Sequence, residues 1–181
     1  METDLIEYIY KKMIAETKNY QWYIVFDSHK HALEIYFTIS LKMNEEQYVQ
    51  DINGNVNNSN LLQFEDVVCF YDINEQRILP DNYVYAVPFN PETGIEQGEV
   101  DAVLKQLNIL ISHARNQLRE FLLDESQEEF TMEWNEKNMS NTIETMRNTN
   151  RYSTNILTFL KEDQSIVNQF KEEQHDGLER I

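Results

Sequence analysis

The chain has 181 residues, 41% of them hydrophobic and 12% aromatic, and carries a formal charge of −17. That length suits one domain with a real core, and that apolar content excludes intrinsic disorder. So negative a surface repels phosphate backbones and anionic headgroups, which excludes ordinary nucleic-acid binding and membrane-surface association.

In chain order, Thr3 and Asp4 offer caps for a first helix over residues 3–17, with Leu5, Ile6, Ile9, Met13 and Ile14 on one stripe. Residues 20–27 then alternate, Tyr20, Trp22, Ile24 and Phe26 against Gln21, Tyr23, Val25 and Asp27. Residues 32–42 alternate again, with Leu33, Ile35, Phe37, Ile39 and Leu41 opposed to Glu34, Tyr36, Thr38, Ser40 and Lys42. The polar link from Asp27 to His31 is short enough for a hairpin. Periodicity is lost from Asn44 to Asn60, where Asn53-Gly54 suggests a small hairpin turn. A strand over 67–73 is apolar on both faces, which places it centrally in the sheet. The turn-rich segment Asn74 to Asn82 leads to Tyr83, Tyr85, Val87 and Phe89, a strand that Pro88 marks as ending or lying at an edge.

The stretch from Gly98 to Leu123 is the longest helical pattern, and the strands are expected to fold around it. Val100, Val103, Leu104, Leu107, Ile111, Ala114 and Leu118 recur at spacings of three and four, one stripe of a helix. Each large side chain buried there contributes ~1.5–3 kcal/mol before entropy is subtracted. Phe130, Met132 and Trp134 alternate with polar neighbours as a short last strand. Residues 136–150 read as a polar linker or a frayed helix, 152–170 as one amphipathic helix with a break near Asp163, and Lys171 onward as a charged, disordered end. The expected class is α+β, a meandering antiparallel sheet of about five strands packed on a long helix, with N- and C-terminal helices. The expected division is an α+β domain over 1–135 and an appended segment over 136–181.

Three runs carry a family resemblance: Tyr20-Gln21-Trp22-Tyr23-Ile24-Val25-Phe26-Asp27, Phe64 to Asp72, and Glu128 to Trp134. They resemble an uncharacterised family of small acidic proteins from low-GC Gram-positive bacteria, known only as a domain of unknown function. The resemblance covers roughly residues 1–135 and treats the rest as an individual extension. It implies a bacterial cytoplasmic protein and brings no functional residues.

Chemical signatures are few. Cys69 is the single cysteine, which forbids an internal disulfide, and its strand context suits a packed thiol. Glu2, Asp4 and Glu7 are unlike a secretory signal, and the apolar runs are too short for a membrane span, so the cytoplasm is expected. Asp51-Ile52-Asn53-Gly54-Asn55 resembles a calcium loop, but Val56 and Leu62 stand where an EF-hand needs Gly and Glu. His29 and His31 could share a metal, yet no third ligand is near them in sequence, so they read as solvated turn residues. His113 reads as a surface residue beside the helix stripe, and His175 belongs to the expected disordered end. The acidic pairs Glu65-Asp66, Asp124-Glu125 and Glu128-Glu129 follow from composition, and no spacing singles one out for acid/base work. No catalytic, cofactor or metal residues are assigned. Tyr23, Tyr36, Phe70 and Tyr85 fall on more than one sheet face. Helices 3–17 and 152–170 are expected to cover the second face; left bare, it would be an interaction site.

Function is therefore read as a protein-binding or chaperone-like adaptor rather than an enzyme. The alternatives are a hydrolase using carboxylates with His29 or His31, and an acidic DNA mimic. Expected partners are a basic protein and a second copy of the chain as a homodimer, with no cofactor, nucleic acid or membrane.

Overall fold

A computed structural model describes residues 3–44, 48–51, 53–56, 60–124 and 126–159. Its elements run β1 (Thr3–Asp4), α1 (Leu5–Glu16), β2 (Gln21–Asp27), β3 (Ala32–Lys42), β4 (Leu61–Asp72), β5 (Tyr85–Phe89), β6 (Ile95–Glu96), α2 (Gln97–Leu123), α3 (Glu136–Asn148) and β7 (Ile156–Thr158). The α+β class stands, but the sheet is mixed. Its order is β2-β3-β4-β5, with β2/β3 and β3/β4 antiparallel and β4/β5 parallel. The turn-rich link from Asn74 to Asn82 explains the change. With its flanks it spans about a dozen residues, the length a parallel connection needs and more than a hairpin takes.

The alternation read in β2 and β3 sets the layers. Ile35, Phe37 and Ile39 are fully buried on the inner face, with Val68 and Phe70 of β4 beside them. Both α1, through Leu5, Ile9 and Met13, and α2, through Val103, Leu104, Leu107 and Ile111, join this one core. Polar contacts lock the two helices together: the Tyr8 hydroxyl donates to Asp101 Oδ1 at 2.6 Å, and Lys12 Nζ stands 3.1 Å from the same oxygen. Asp4 caps α1, its Oδ1 accepting from the Glu7 amide at 2.8 Å, as expected of an Asp at that position.

The C-terminal third departs most from the sequence reading. Residues 130–134 do not join a sheet, although Phe130, Met132 and Trp134 do point inward. Phe130 meets Phe64 edge-on at 5.1 Å, and Trp134 stacks on Tyr85 at 4.3 Å. Period-two alternation there reports an extended chain buried on one side, not a hydrogen-bonded ladder. The polar segment after Asn135 is helix α3, capped by the Asn135 side chain and anchored by buried Met139 and Met146. In place of an amphipathic helix from Tyr152, Ile156–Thr158 forms β7, the middle strand of a second sheet, β1-β7-β6. Three residues are too few to show a period, and Leu157 is buried in the common core. The remainder of that expected helix and the expected disordered end, 160–181, lie outside the described residues.

This tail also finishes α2. Glu96 makes no side-chain cap, and the Gln97 and Gly98 amides instead donate to the carbonyls of Asn155 and Ser153, each at 2.8 Å. The approach is tight. Gly94 has φ +76°, and a Cβ there would stand 2.4 Å from Ile156 Cγ2 and Leu157 O.

Candidate functional site

The outer face of the four-stranded sheet follows from the other half of the alternation. Glu34 on β3 is buried, which for a carboxylate demands partners. Three converge on it: Lys30 Nζ and the Tyr83 hydroxyl on Oε1 at 2.8 and 2.7 Å, and the Tyr36 hydroxyl on Oε2 at 2.8 Å. The hydrogen bond to Glu34 pushes the Lys30 ammonium upward. Burial and then Glu34 push the Tyr83 hydroxyl up to about 12. Cys69 lies opposite Glu34 across the β3/β4 ladder, and burial followed by that charge raises its thiol to about 12. A thiol held so high is protonated at neutral pH and is a poor nucleophile.

Next to this network the rings of Tyr23 and Tyr36 stack at 4.8 Å, 4° from parallel. Their neighbour Glu65 is exposed and accepts from the Tyr23 hydroxyl and Thr38 Oγ1, each at 3.4 Å. The apolar residues on this side are Ala32, Cys69 and Ile78 with Tyr71, Tyr83 and Ala86, none of them helical. The buried apolar residues of α1, α2 and α3 belong to the inner core, and this outer cluster takes none of them. The expectation that helix 3–17 would cover it is thus corrected: α1 packs on the inner side with α2, because its single apolar stripe can serve only one face. Phe70 and Tyr85 also face inward, so only Tyr23 and Tyr36 of the four singled-out aromatics belong to the outer surface.

A second constellation sits at the end of the sheet. Asp27 closes the β2–β3 turn by accepting from the His29 and Lys30 amides at 2.9 and 3.0 Å. Although burial opposes it, those amides and Lys30 hold the Asp27 carboxyl below its usual range. His31 ends the turn with φ +50°, and its carbonyl accepts from the Asp72 amide at 3.0 Å. His31, Asp72 and Glu75 each bring a ligand atom within 4.8 Å of the others. His31 and Asp72 also line a cavity of about 280 Å³ with Phe26, Phe89 and Phe159. His29, the other imidazole considered, is exposed and has no part in this group. Sequence reasoning missed the site because its ligands lie some 40 residues apart and meet only through the β3/β4 pairing.

A third feature is a cavity of about 650 Å³ between α2 and residues 131–138, lined by Gln106, His113, Gln117, Glu133 and Trp134 among others. Gln106 is buried there, and the Trp134 indole nitrogen has no hydrogen-bond partner among the described residues. His113 is exposed on its rim, and His175 lies outside the described residues.

The remaining sequence candidates are dispersed. Asp51 spends its carboxylate on the Asn53 and Asn55 amides and the Asn55 side chain, an Asn-Gly turn closed by a Gln50–Val56 bridge. Of the Glu65-Asp66 pair, Glu65 faces outward while Asp66 is half-buried, its carboxyl raised by burial. Asp124 is tied to Ser126, and Glu128 and Glu129 are exposed. Among the described helices, none is long and apolar enough to cross a membrane.

The fold defines the class, an α+β domain built on a four-stranded mixed sheet. Residues 1–161 match the family described as "Protein of unknown function (DUF3013)", and the chain belongs to that family. Because the match runs to 161, the segment after Asn135 is not an individual extension. A conserved protein of unknown function from the low-GC Gram-positive bacterium Enterococcus faecalis has a similar crystal structure, with a TM-score of 0.77 at 17% identity. The likeness covers 89% of this chain and 97% of that one, and at such identity it shows the fold alone. No curated protein matches the chain.

Proposed function

We propose that this protein is a protein-binding module that docks a basic partner on the outer face of its four-stranded sheet. The observation that carries the reading is the stacked Tyr23–Tyr36 pair beside Glu65, on a face whose apolar cluster takes no residue from α1, α2 or α3. Tyrosine suits interfaces because its ring buries area while its hydroxyl keeps a polar partner. The charge of −17 speeds encounter with a basic surface and makes association salt-dependent. A cytoplasmic setting is part of the same proposal.

The test compares wild-type and Tyr23→Ala/Tyr36→Ala baits in a bacterial lysate. One stoichiometric basic partner, held by the wild type at ~50 mM salt, released toward ~500 mM and absent from the variant, supports docking on this face. A partner retained by the double variant overturns it.

A second reading, a hydrolase-type enzyme, rests on the sheet end, where His31, Asp72 and Glu75 meet beside an aromatic cavity. Turnover in a broad substrate screen that His31→Ala abolishes would select this reading over the first.

A further inference from the structure

The sheet end has a consequence that stands whichever reading of function holds. We propose that His31, Asp72 and Glu75 bind a divalent transition-metal ion of the Zn²⁺ or Mn²⁺ class. The separations fit. Three atoms within 4.8 Å of one another share a point no more than about 2.8 Å from each, against ~2.0–2.2 Å for a formed zinc–nitrogen or zinc–oxygen bond. Closing that gap takes under about 1 Å per ligand by the same comparison. Glu75, exposed on the loop after β4 and with its side chain held, among the described residues, only by a surface pair with Arg77, can supply most of it. The other two are tethered, since the Asp72 amide is bonded to the His31 carbonyl.

Charge makes the stronger argument. Asp72 is 8% exposed, and its Oδ1 accepts only the Asn74 amide at 2.8 Å. Its Oδ2 has neither a hydrogen bond nor an ion pair among the described residues. A largely buried carboxylate with one oxygen left unengaged by the described side chains is a ready ligand for a cation. The nearby basic side chains are engaged elsewhere. Lys30, adjacent in sequence to His31, is held by Glu34 and Asp27. Arg77 stands 2.8 Å from Glu75 in a solvent-exposed pair, too weak to keep that carboxylate from a metal. One imidazole with two carboxylates favours a transition metal over Ca²⁺ or Mg²⁺, which prefer all-oxygen shells. Three protein ligands leave a coordination position for water or substrate, and the cavity lined by Phe26, Phe89 and Phe159 adjoins it.

The experiment uses the full chain, stripped with chelator and titrated with ZnCl₂ by calorimetry, and with MnCl₂ by electron paramagnetic resonance. One ion per chain is expected, bound at least tenfold more weakly in His31→Ala and in Glu75→Gln, and unchanged in His29→Ala. Binding should also weaken on acidification, because a ligating imidazole must give up its proton. Glu75 is exposed, so Glu75→Gln keeps the fold and the comparison holds even where a change at Asp72 does not. The proposal is overturned if neither metal binds saturably to folded protein, or if the His31→Ala/Glu75→Gln double variant binds like the wild type.

Discussion

The two faces of strand β3 are built from adjacent residues and do opposite things. Phe37 is fully buried in the core, with the Tyr20 ring at its edge, whereas its neighbour Tyr36 is half-buried, stacks on Tyr23 and donates to Glu34. The inner face is held by apolar area, which is strong, non-directional and indifferent to pH. The outer face is held by a carboxylate with three donors, which is directional and depends on protonation. The difference teaches that one strand can carry an apolar core face and a polar outer face that answer to different forces. Changes on one face should cost stability, and changes on the other should cost recognition.

Leu107→Asp should break the comparison most severely. Leu107 is fully buried at the middle of α2, and an unpaired charge there costs more than a domain of this size can absorb. Circular dichroism should show an unfolded chain; a native spectrum with an unchanged melting temperature would mean that α2 is not the core. Truncation after Asn135 comes next. It removes Met139, Met146 and Leu157 from the core and strips the α2 amides of their Ser153 and Asn155 partners, so an aggregating product is expected in size-exclusion chromatography. A soluble monomer with native melting would make α3 and β7 an appendage.

Two substitutions separate the faces directly. Phe37→Ala should lower unfolding free energy by ~3–5 kcal/mol in urea. Tyr23→Ala, which loses a half-buried aromatic pair, should cost only ~0.5–1.5 kcal/mol. Equal losses would show that the outer face is a second core.

Alkaline titration sharpens the contrast with a smaller effect. Tyr83 and Cys69 are both raised to about 12, from ordinary values of 10.0 and 9.0, so the fold holds their protons more tightly than the free chain does. The stability they contribute is complete below those ordinary values and drains away as pH rises toward about 12. Melting temperature should therefore fall progressively above pH ~9, and a flat profile to pH ~11 would remove the outer network from the stability of the fold.

Local sequence determined α1 with its Asp4 cap, the β2–β3 hairpin, the Asn53-Gly54 turn and the stripe of α2, because caps, period-two alternation and period-3.6 stripes are set by residues within a few positions of one another. Tertiary structure alone decided that β5 runs parallel to β4, that residues 130–134 pack without pairing, and that β7 lies between β1 and β6. It also decided that His31 meets Asp72 and Glu75, and that Glu34 gathers Lys30, Tyr36 and Tyr83. These depend on which distant surfaces come together to bury apolar area, and a short window of sequence carries the tendency of each segment but not the identity of its partner.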